Sequence, residues 1–250
     1  MKIIYKLAHG FYVVWAALVF LALMFVVLLL VIPASLFGRI RGGNVIYQLC
    51  RMWSVTWFAL IGIRQKNIYL APHNPGRACI FVVNHISYMD IPAVLKALHQ
   101  STRILGKAEM AKIPVFGYIY SRAAVMVDRS STEHRARSVQ ILKSVLKKGI
   151  SILIFPEGTF NLTDQPLKEF YDGAFRIAIE TGTPIKPIIL PDTLARLHYR
   201  SVFALTPGRM RAVFMDEIPV EGLTLADTQA LKEKVAVLMT EQLINFSRKS

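Results

Sequence analysis

The sequence predicts an α/β domain, a sheet covered by helices, behind an N-terminal pair of membrane-anchoring helices. Phe11 to Ile32 runs without a charge; at 1.5 Å per residue this makes a helix about 33 Å long, enough for a hydrocarbon core about 30 Å thick. From about Arg64 onward, short apolar runs alternate with helix-period segments, the pattern of a sheet packed between helices. A chain of 250 residues holds one sizeable domain and an anchor, not two full domains. The expected division is an anchor over 1–63 and an α/β domain over 64–250.

Composition narrows the partners. Hydrophobic residues make up 54% of the chain and the mean hydropathy is +0.42, so part of the surface is expected to meet lipid. Thirty Lys and Arg face 16 Asp and Glu, a formal charge of +14. Such a surface attracts anionic headgroups, acidic or phosphorylated small molecules, or nucleic acid. No basic motif interleaved with aromatics is present, which argues against nucleic acid. Cys50 and Cys79 sit far apart without CxxC spacing, which argues against a disulfide framework and a zinc site.

The first apolar run follows Lys2 and Lys6, as in a signal peptide. It is too long for that role, and Pro33-Ala34-Ser35 is a poor cleavage site. A turn is expected over Gly38–Asn44. A second apolar run, Val45 to Ile63, carries Gln48 and Arg51, with Trp53 and Trp57 suited to the membrane–water boundary. Positive charge flanks both ends of the first helix, so the charge rule sets no orientation. A transmembrane hairpin and a monotopic two-helix anchor both fit.

Seven runs read as strands: Asn67–Leu70, Ala78–Val83, Thr102–Leu105, Ala124–Val127, Ser151–Phe155, Ile185–Leu190 and Met210–Phe214. A helix is expected over 132–148, capped by Ser131 and burying Leu142, Val145 and Leu146. A last helix follows Thr224, with Asp227 completing a capping box and Leu231, Val235, Leu238 and Met239 as its buried stripe.

Two motifs carry chemistry. Val82-Val83-Asn84-His85-Ile-Ser-Tyr-Met-Asp90 sets a histidine just past a strand and a carboxylate five residues on. On one continuous helix the two would diverge by about 140°. They meet if His85 lies in the strand-to-helix turn and Asp90 in the first helical turn, with Ser87 as N-cap. A carboxylate on one imidazole nitrogen fixes the tautomer and frees the other nitrogen to take a proton. Read alone, Asp90 is more readily an ordinary helix-start acid. The second motif, Phe155-Pro-Glu157-Gly158-Thr159, ends a buried strand in a loop where proline stops the strand and glycine permits close backbone approach. Alone it reads equally well as an ordinary turn with Glu157 in solvent.

Together, and in this order, the motifs resemble the glycerolipid acyltransferase family, and specifically its 1-acyl-sn-glycerol-3-phosphate (lysophosphatidic acid) acyltransferases. The likeness covers Ala78 to Pro191 and includes Pro114-Val-Phe-Gly117, Val125-Met-Val-Asp128-Arg129 and Thr183-Pro-Ile-Lys-Pro187. The resemblance implies a mixed, largely parallel sheet flanked by helices. It implies that His85 deprotonates the acceptor hydroxyl and Asp90 orients it. Lys107 and Arg129 would bind the acceptor phosphate, and Glu157, Gly158 and Thr159 would position the acceptor. The donor would be acyl-CoA or acyl-carrier protein, the acceptor a lysophospholipid, and the location the cytoplasmic face of the inner (plasma) membrane, with no metal or redox cofactor.

The residues agree with that chemistry. A thioester is already activated, so no nucleophilic serine is required, and no Gly-x-Ser-x-Gly elbow occurs. Between Arg103 and Lys148 ten basic residues face three acidic ones, a stretch that draws phosphates or an acidic carrier protein. Two positions depart from the family: Phe160 stands where it continues with arginine, removing a bidentate phosphate donor, and Ala123 where it has glycine. Phe160 motivates a rival acceptor, an aminolipid or hydroxyacyl lipid. A lipid hydrolase and a non-catalytic lipid-binding protein are the readings from other classes.

Overall fold

In the computed structural model, which describes residues 2–127 and 132–247, the first apolar run becomes α1 (Lys2–Ser35). It buries one stripe, Val13, Ala16, Val19, Met24, Val27, Val31 and Ala34, against α2 (Gly43–Leu60). The connection is tighter than the expected turn over Gly38–Asn44. The chain reverses at Leu36–Phe37, makes a π-helical turn over Gly38–Gly42 and enters α2 directly. Gly42 allows this approach, since a Cβ there would strike the Ala34 carbonyl oxygen. The buried Arg103 guanidinium closes the tip, donating to Arg39 O at 3.1 Å, Ile40 O at 3.2 Å and Asn44 Oδ1 at 2.8 Å.

The second helix belongs to two layers. Trp57 Nε1 donates to Ala16 O of α1 at 3.0 Å. On its other side Tyr47 donates to Leu98 O at 3.0 Å, and Ile46 and Phe58 share one apolar cluster with Phe81 and Val83 of the sheet. The helical pair and the α/β domain are therefore continuous in their packing.

The chain then runs through β1 (Ile63–Tyr69), β2 (Ile80–Val83), α3 (Asp90–Ala97), β3 (Thr102–Lys107), α4 (Phe116–Ala123), β4 (Ala124–Val127), α5 (Thr132–Leu146), β5 (Ser151–Ile154), α6 (Gly173–Thr181), β6 (Ile185–Ile189), α7 (Thr193–Arg196), β7 (Gly208–Phe214) and α8 (Thr228–Ser247). All seven expected strands form, in one sheet of order β1-β7-β6-β2-β5-β3-β4. Five neighbouring pairs are parallel and only β6–β7 is antiparallel, so the sheet is mixed and largely parallel, as expected. β1 starts at Ile63 rather than Asn67, pairing with β7 along its whole length. Arg64, Gln65 and Lys66 hid its beginning, because an edge strand tolerates polar residues that a buried one does not.

The sheet separates two cores. Phe81 and Val83 point to the side of α1, α2 and α3; Ile80 and Val82 point to the side of α5, α6 and α8. The capping box before α8 is present, with Thr224 N–H donating to Asp227 Oδ2 at 2.7 Å. Leu231, Val235, Met239 and Leu243 line the helix's buried side, while the expected Leu238 is only half-buried. Leu142, Val145 and Leu146 are buried on α5; its proposed cap Ser131 lies outside the described residues. The five parallel strands all end at one edge of the sheet, where α/β folds bind their ligands. His85 follows β2 there, Pro156 follows β5 after one residue, and Lys107 closes β3.

Candidate active site

The site begins where β2 stops. Asn84 is buried, and its Oδ1 accepts Leu190 N–H at 2.7 Å, tying the exit of β2 to that of β6. His85 then occupies the turn before α3, whose first residue is Asp90. The two side chains meet: His85 Nδ1 lies 2.9 Å from Asp90 Oδ2. The same oxygen accepts Ile86 N–H at 2.7 Å and Ser87 N–H at 2.8 Å. Asp90 is fully buried, and its Oδ1 has no partner among the described protein groups. With Nδ1 donating to a carboxylate, the remaining lone pair of the ring sits on Nε2.

Ser87 is not the N-cap expected from the sequence. Its Oγ donates to Leu197 O at 2.6 Å and accepts Met89 N–H at 3.1 Å. Met89 stands at the cap without a side-chain bond. A turn closed by Asp90 N–H on Ser87 O at 3.1 Å comes first, so the helix starts two residues later than a Ser87 cap would place it.

The second loop is built across the first. Phe155, just past β5, stacks on the His85 ring at 4.2 Å with an interplanar angle of 24°. Gly158 N–H closes a turn onto Phe155 O at 3.0 Å, and Gly158 has φ +71°, which a side chain would oppose. Glu157 is fully buried. Its Oε1 accepts the backbone N–H of His85 at 2.7 Å and its Oε2 that of Lys168 at 2.9 Å. Burial raises its carboxyl from 4.5 to about 7, against the lowering pull of the Lys168 and His85 N–H groups. Asn161 N–H completes the clamp on His85 O at 2.7 Å.

The sequence-predicted residues divide into three groups. His85, Asp90, Glu157, Gly158 and Thr159 come together in these two loops. Lys107 ends β3 at the same edge with an exposed side chain, two strands across from β2. Arg129 lies outside the described residues. The structure adds neighbours that sequence reasoning did not place at the histidine. Phe160 meets the His85 ring edge-on at 4.5 Å and Tyr88 at 4.8 Å. Lys168 Nζ donates to Thr159 Oγ1 at 3.0 Å. The aromatic spacing around the motifs was visible; nothing in the sequence marked Lys168. A cavity of about 280 Å³ lined by Tyr69, His73, Pro75, Ala97 and His99 lies at the opposite edge, where β1 and β7 end, and takes no part in this site.

A buried acid holding one imidazole nitrogen, at the carboxyl edge of an α/β sheet, has the geometry that a general base requires. Both loops fall within residues 63–191, which match the sequence model of the Acyltransferase family; the chain belongs to that family. It is 28% identical over 211 residues to a lyso-ornithine lipid O-acyltransferase of Pseudomonas aeruginosa, covering 77% of this chain and 80% of that one. It is 25% identical to a 1-acyl-sn-glycerol-3-phosphate acyltransferase of Haemophilus influenzae, covering 76% and 79%. Against some other relatives the chain spans about half their length or less, as with 53% of a 1-acyl-sn-glycerol-3-phosphate acyltransferase of Cocos nucifera and 39% of a chloroplastic one of Brassica napus. The crystal structure of the 1-acyl-sn-glycerophosphate acyltransferase of Thermotoga maritima shares the fold, with a TM-score of 0.72 at 22% identity over 99% of this chain and 98% of that one.

Proposed function

We propose that this chain is a membrane-associated O-acyltransferase that moves a fatty acyl group from acyl-CoA or acyl-carrier protein to the free hydroxyl of a lysophospholipid, foremost 1-acyl-glycerol 3-phosphate. The observation that carries it is the 2.9 Å contact between His85 Nδ1 and Asp90 Oδ2, with that oxygen fixed by two backbone N–H groups. His85 Nε2 takes the acceptor's hydroxyl proton as the oxygen attacks the thioester carbonyl. The tetrahedral intermediate then expels the thiolate, which recovers the proton from the imidazolium. Asp90 stabilises the imidazolium and holds the ring in one tautomer. Glu157 acts through backbone, holding the loop of Thr159 and Phe160 against the histidine. The chemistry needs no metal or redox group. Lys107 and Arg129 are assigned to anionic substrate groups from the family pattern.

The reaction belongs at the cytoplasmic face of the plasma membrane, where thioester donors are found. Among the described residues α1 alone is long and apolar enough to cross a membrane. Its packing favours the monotopic anchor. Near its start His9 Nε2 lies 3.0 Å from Leu205 O, and at its end Ser35 Oγ lies 3.5 Å from Tyr118 OH. A helix that touches the catalytic domain at both ends lies along it. Its other face, with Phe11, Trp15, Leu18, Leu21, Phe25 and Leu29 exposed, is left for lipid. A Phe37→Cys substitution at the tip separates the readings: in sealed vesicles a monotopic tip never reacts with impermeant thiol reagents from the far side, and a hairpin tip does.

A second reading keeps the reaction and changes the acceptor to an aminolipid. Phe160 favours it, because a ring against His85 replaces a phosphate-binding guanidinium. The lyso-ornithine lipid relative, matched over 80% of its length, points the same way. The deciding assay gives purified full-length protein acyl-CoA with each lysolipid acceptor and identifies the ester formed. No ester with any acceptor, or undiminished transfer by His85→Ala, would overturn the proposal.

A further inference from the structure

We propose that Lys168 is the anion-recognising side chain of this site, the group that reads the charged head of the acceptor lipid. The inference rests on the acyl-transfer reading and adds the residue that selects the acceptor. Lys168 lies in the loop between β5 and α6, eleven residues beyond Glu157, yet it is drawn back to the Glu157–Thr159 turn. Its backbone N–H is bound by Glu157 Oε2 at 2.9 Å, and the other oxygen of that carboxylate holds His85 N–H at 2.7 Å. Its ammonium sits 3.0 Å from Thr159 Oγ1, next in the chain to Phe160, whose ring touches the imidazole.

No acid stands beside this ammonium among the described residues. Lys168 is half-buried, and the ammonium's partner among the described residues is a neutral hydroxyl. Of the other half-buried lysines, Lys143 pairs with Glu180 at 2.9 Å and Lys232 with Asp172 at 2.8 Å, while Lys96 has no acid among the described residues. The fully buried Lys186 donates to Pro72 O at 3.0 Å. Lys168 differs from Lys96 and Lys186 in lying on the loop that carries Glu157 and Thr159. A partly desolvated ammonium without a counter-ion is unfavourable until an anion arrives, and it keeps two N–H donors to offer. The group it fits is the phosphate monoester or the carboxylate of a lysolipid head. Where Phe160 has removed a guanidinium from the loop, Lys168 returns a cation to it from nine residues away. As a point charge with rotatable donors, it accepts either anion where a fixed fork would favour phosphate.

The test uses full-length protein in detergent micelles as wild type, Lys168→Met and Lys168→Arg. The acceptors are 1-oleoyl-glycerol 3-phosphate, a lyso-ornithine lipid and uncharged 1-oleoyl-glycerol. Methionine keeps the backbone bond to Glu157 and removes the charge. For whichever of the phosphate- and carboxylate-bearing acceptors the wild type prefers, Lys168→Met raises KM tenfold or more, leaves kcat within about threefold, and leaves KM for 1-oleoyl-glycerol unchanged; Lys168→Arg recovers most of the loss. Equal changes for charged and uncharged acceptors, no recovery with arginine, or a wild type indifferent to headgroup charge would each overturn the assignment. If the wild type transfers to none of the three, the acyl-transfer reading falls by itself. Equilibrium binding of the same lipids then decides the lysine: tenfold weaker binding of the phosphate- and carboxylate-bearing lipids by Lys168→Met upholds it, and equal binding ends it.

Discussion

The two loops of the site each contain one buried carboxylate, and the two acids are used in opposite ways. Asp90 loads a single oxygen with three donors, all from residues within five positions of itself, and leaves Oδ1 unpartnered among the described protein groups. Glu157 loads both oxygens, one on each of two distant segments, 72 residues back and 11 residues forward. The first acid organises its own loop and acts on the imidazole; the second joins loops. A carboxylate with a spare oxygen tolerates replacement by its amide, and one with both oxygens accepting from N–H groups does not.

The largest expected effect is on chemistry. His85→Ala lowers kcat by about 10²–10⁴-fold, the usual worth of a general base, with the thermal midpoint little changed. Asp90→Asn comes next. The amide oxygen can take over the three bonds to Oδ2 while its NH₂ occupies the place of the unpartnered Oδ1, so the fold survives. Its lost charge no longer supports the imidazolium, and turnover falls by about 10²-fold or more. Kinetics and melting measured on the same sample decide the matter; a variant that melts early and turns over normally would reduce Asp90 to a helix-start acid.

Glu157→Gln inverts that pattern. An amide has one acceptor, so either His85 N–H or Lys168 N–H faces a donor, which costs about 1–3 kcal/mol of stability. The substitution also removes a pH dependence. Folded Glu157 titrates near 7, above its ordinary 4.5, so the folded state holds this proton more tightly than the unfolded state. The contribution is complete below about 4.5 and is lost as pH rises toward 7, a total of about 3 kcal/mol at most. Denaturant midpoints of the wild type should fall across that interval relative to those of Glu157→Gln; parallel curves would show that Glu157 titrates with no preference for the folded state.

The same contrast explains what was legible in the sequence. The Asp90 loop was readable because its partners are local: the spacing allows a turn-then-helix geometry that brings His85 to Asp90, and the resemblance carried by the second motif selected it over an ordinary helix-start acid. So were the buried strands, whose short apolar runs have few other meanings, and the capping box of Thr224 and Asp227. Ser87 was misread because a turn closed by Asp90 N–H on Ser87 O delays the start of the helix, and nothing in the spacing marks that turn. β1 was read short because an edge strand is free to be polar. The double duty of Glu157, the closure of the helical hairpin by Arg103 and the arrival of Lys168 at Thr159 all depend on contacts between distant segments. Composition and periodicity carry no trace of those.

The smallest effect belongs to the side-chain contact between the loops. Phe160 touches His85 edge-on at 4.5 Å and Tyr88 at 4.8 Å, while the backbone of the same loop is already pinned by Glu157 and Asn161. Edge-to-face pairs contribute about 0.5–1.5 kcal/mol beyond their burial. Phe160→Leu keeps apolar bulk and loses the ring edge, so kcat falls about two- to tenfold with stability nearly unchanged. The two loops are then joined chiefly through backbone, and the ring serves to hold the imidazole at one angle. A loss as large as that of Glu157→Gln in melting experiments would reverse this order and make the aromatic contact, not the buried acid, the joint between the loops.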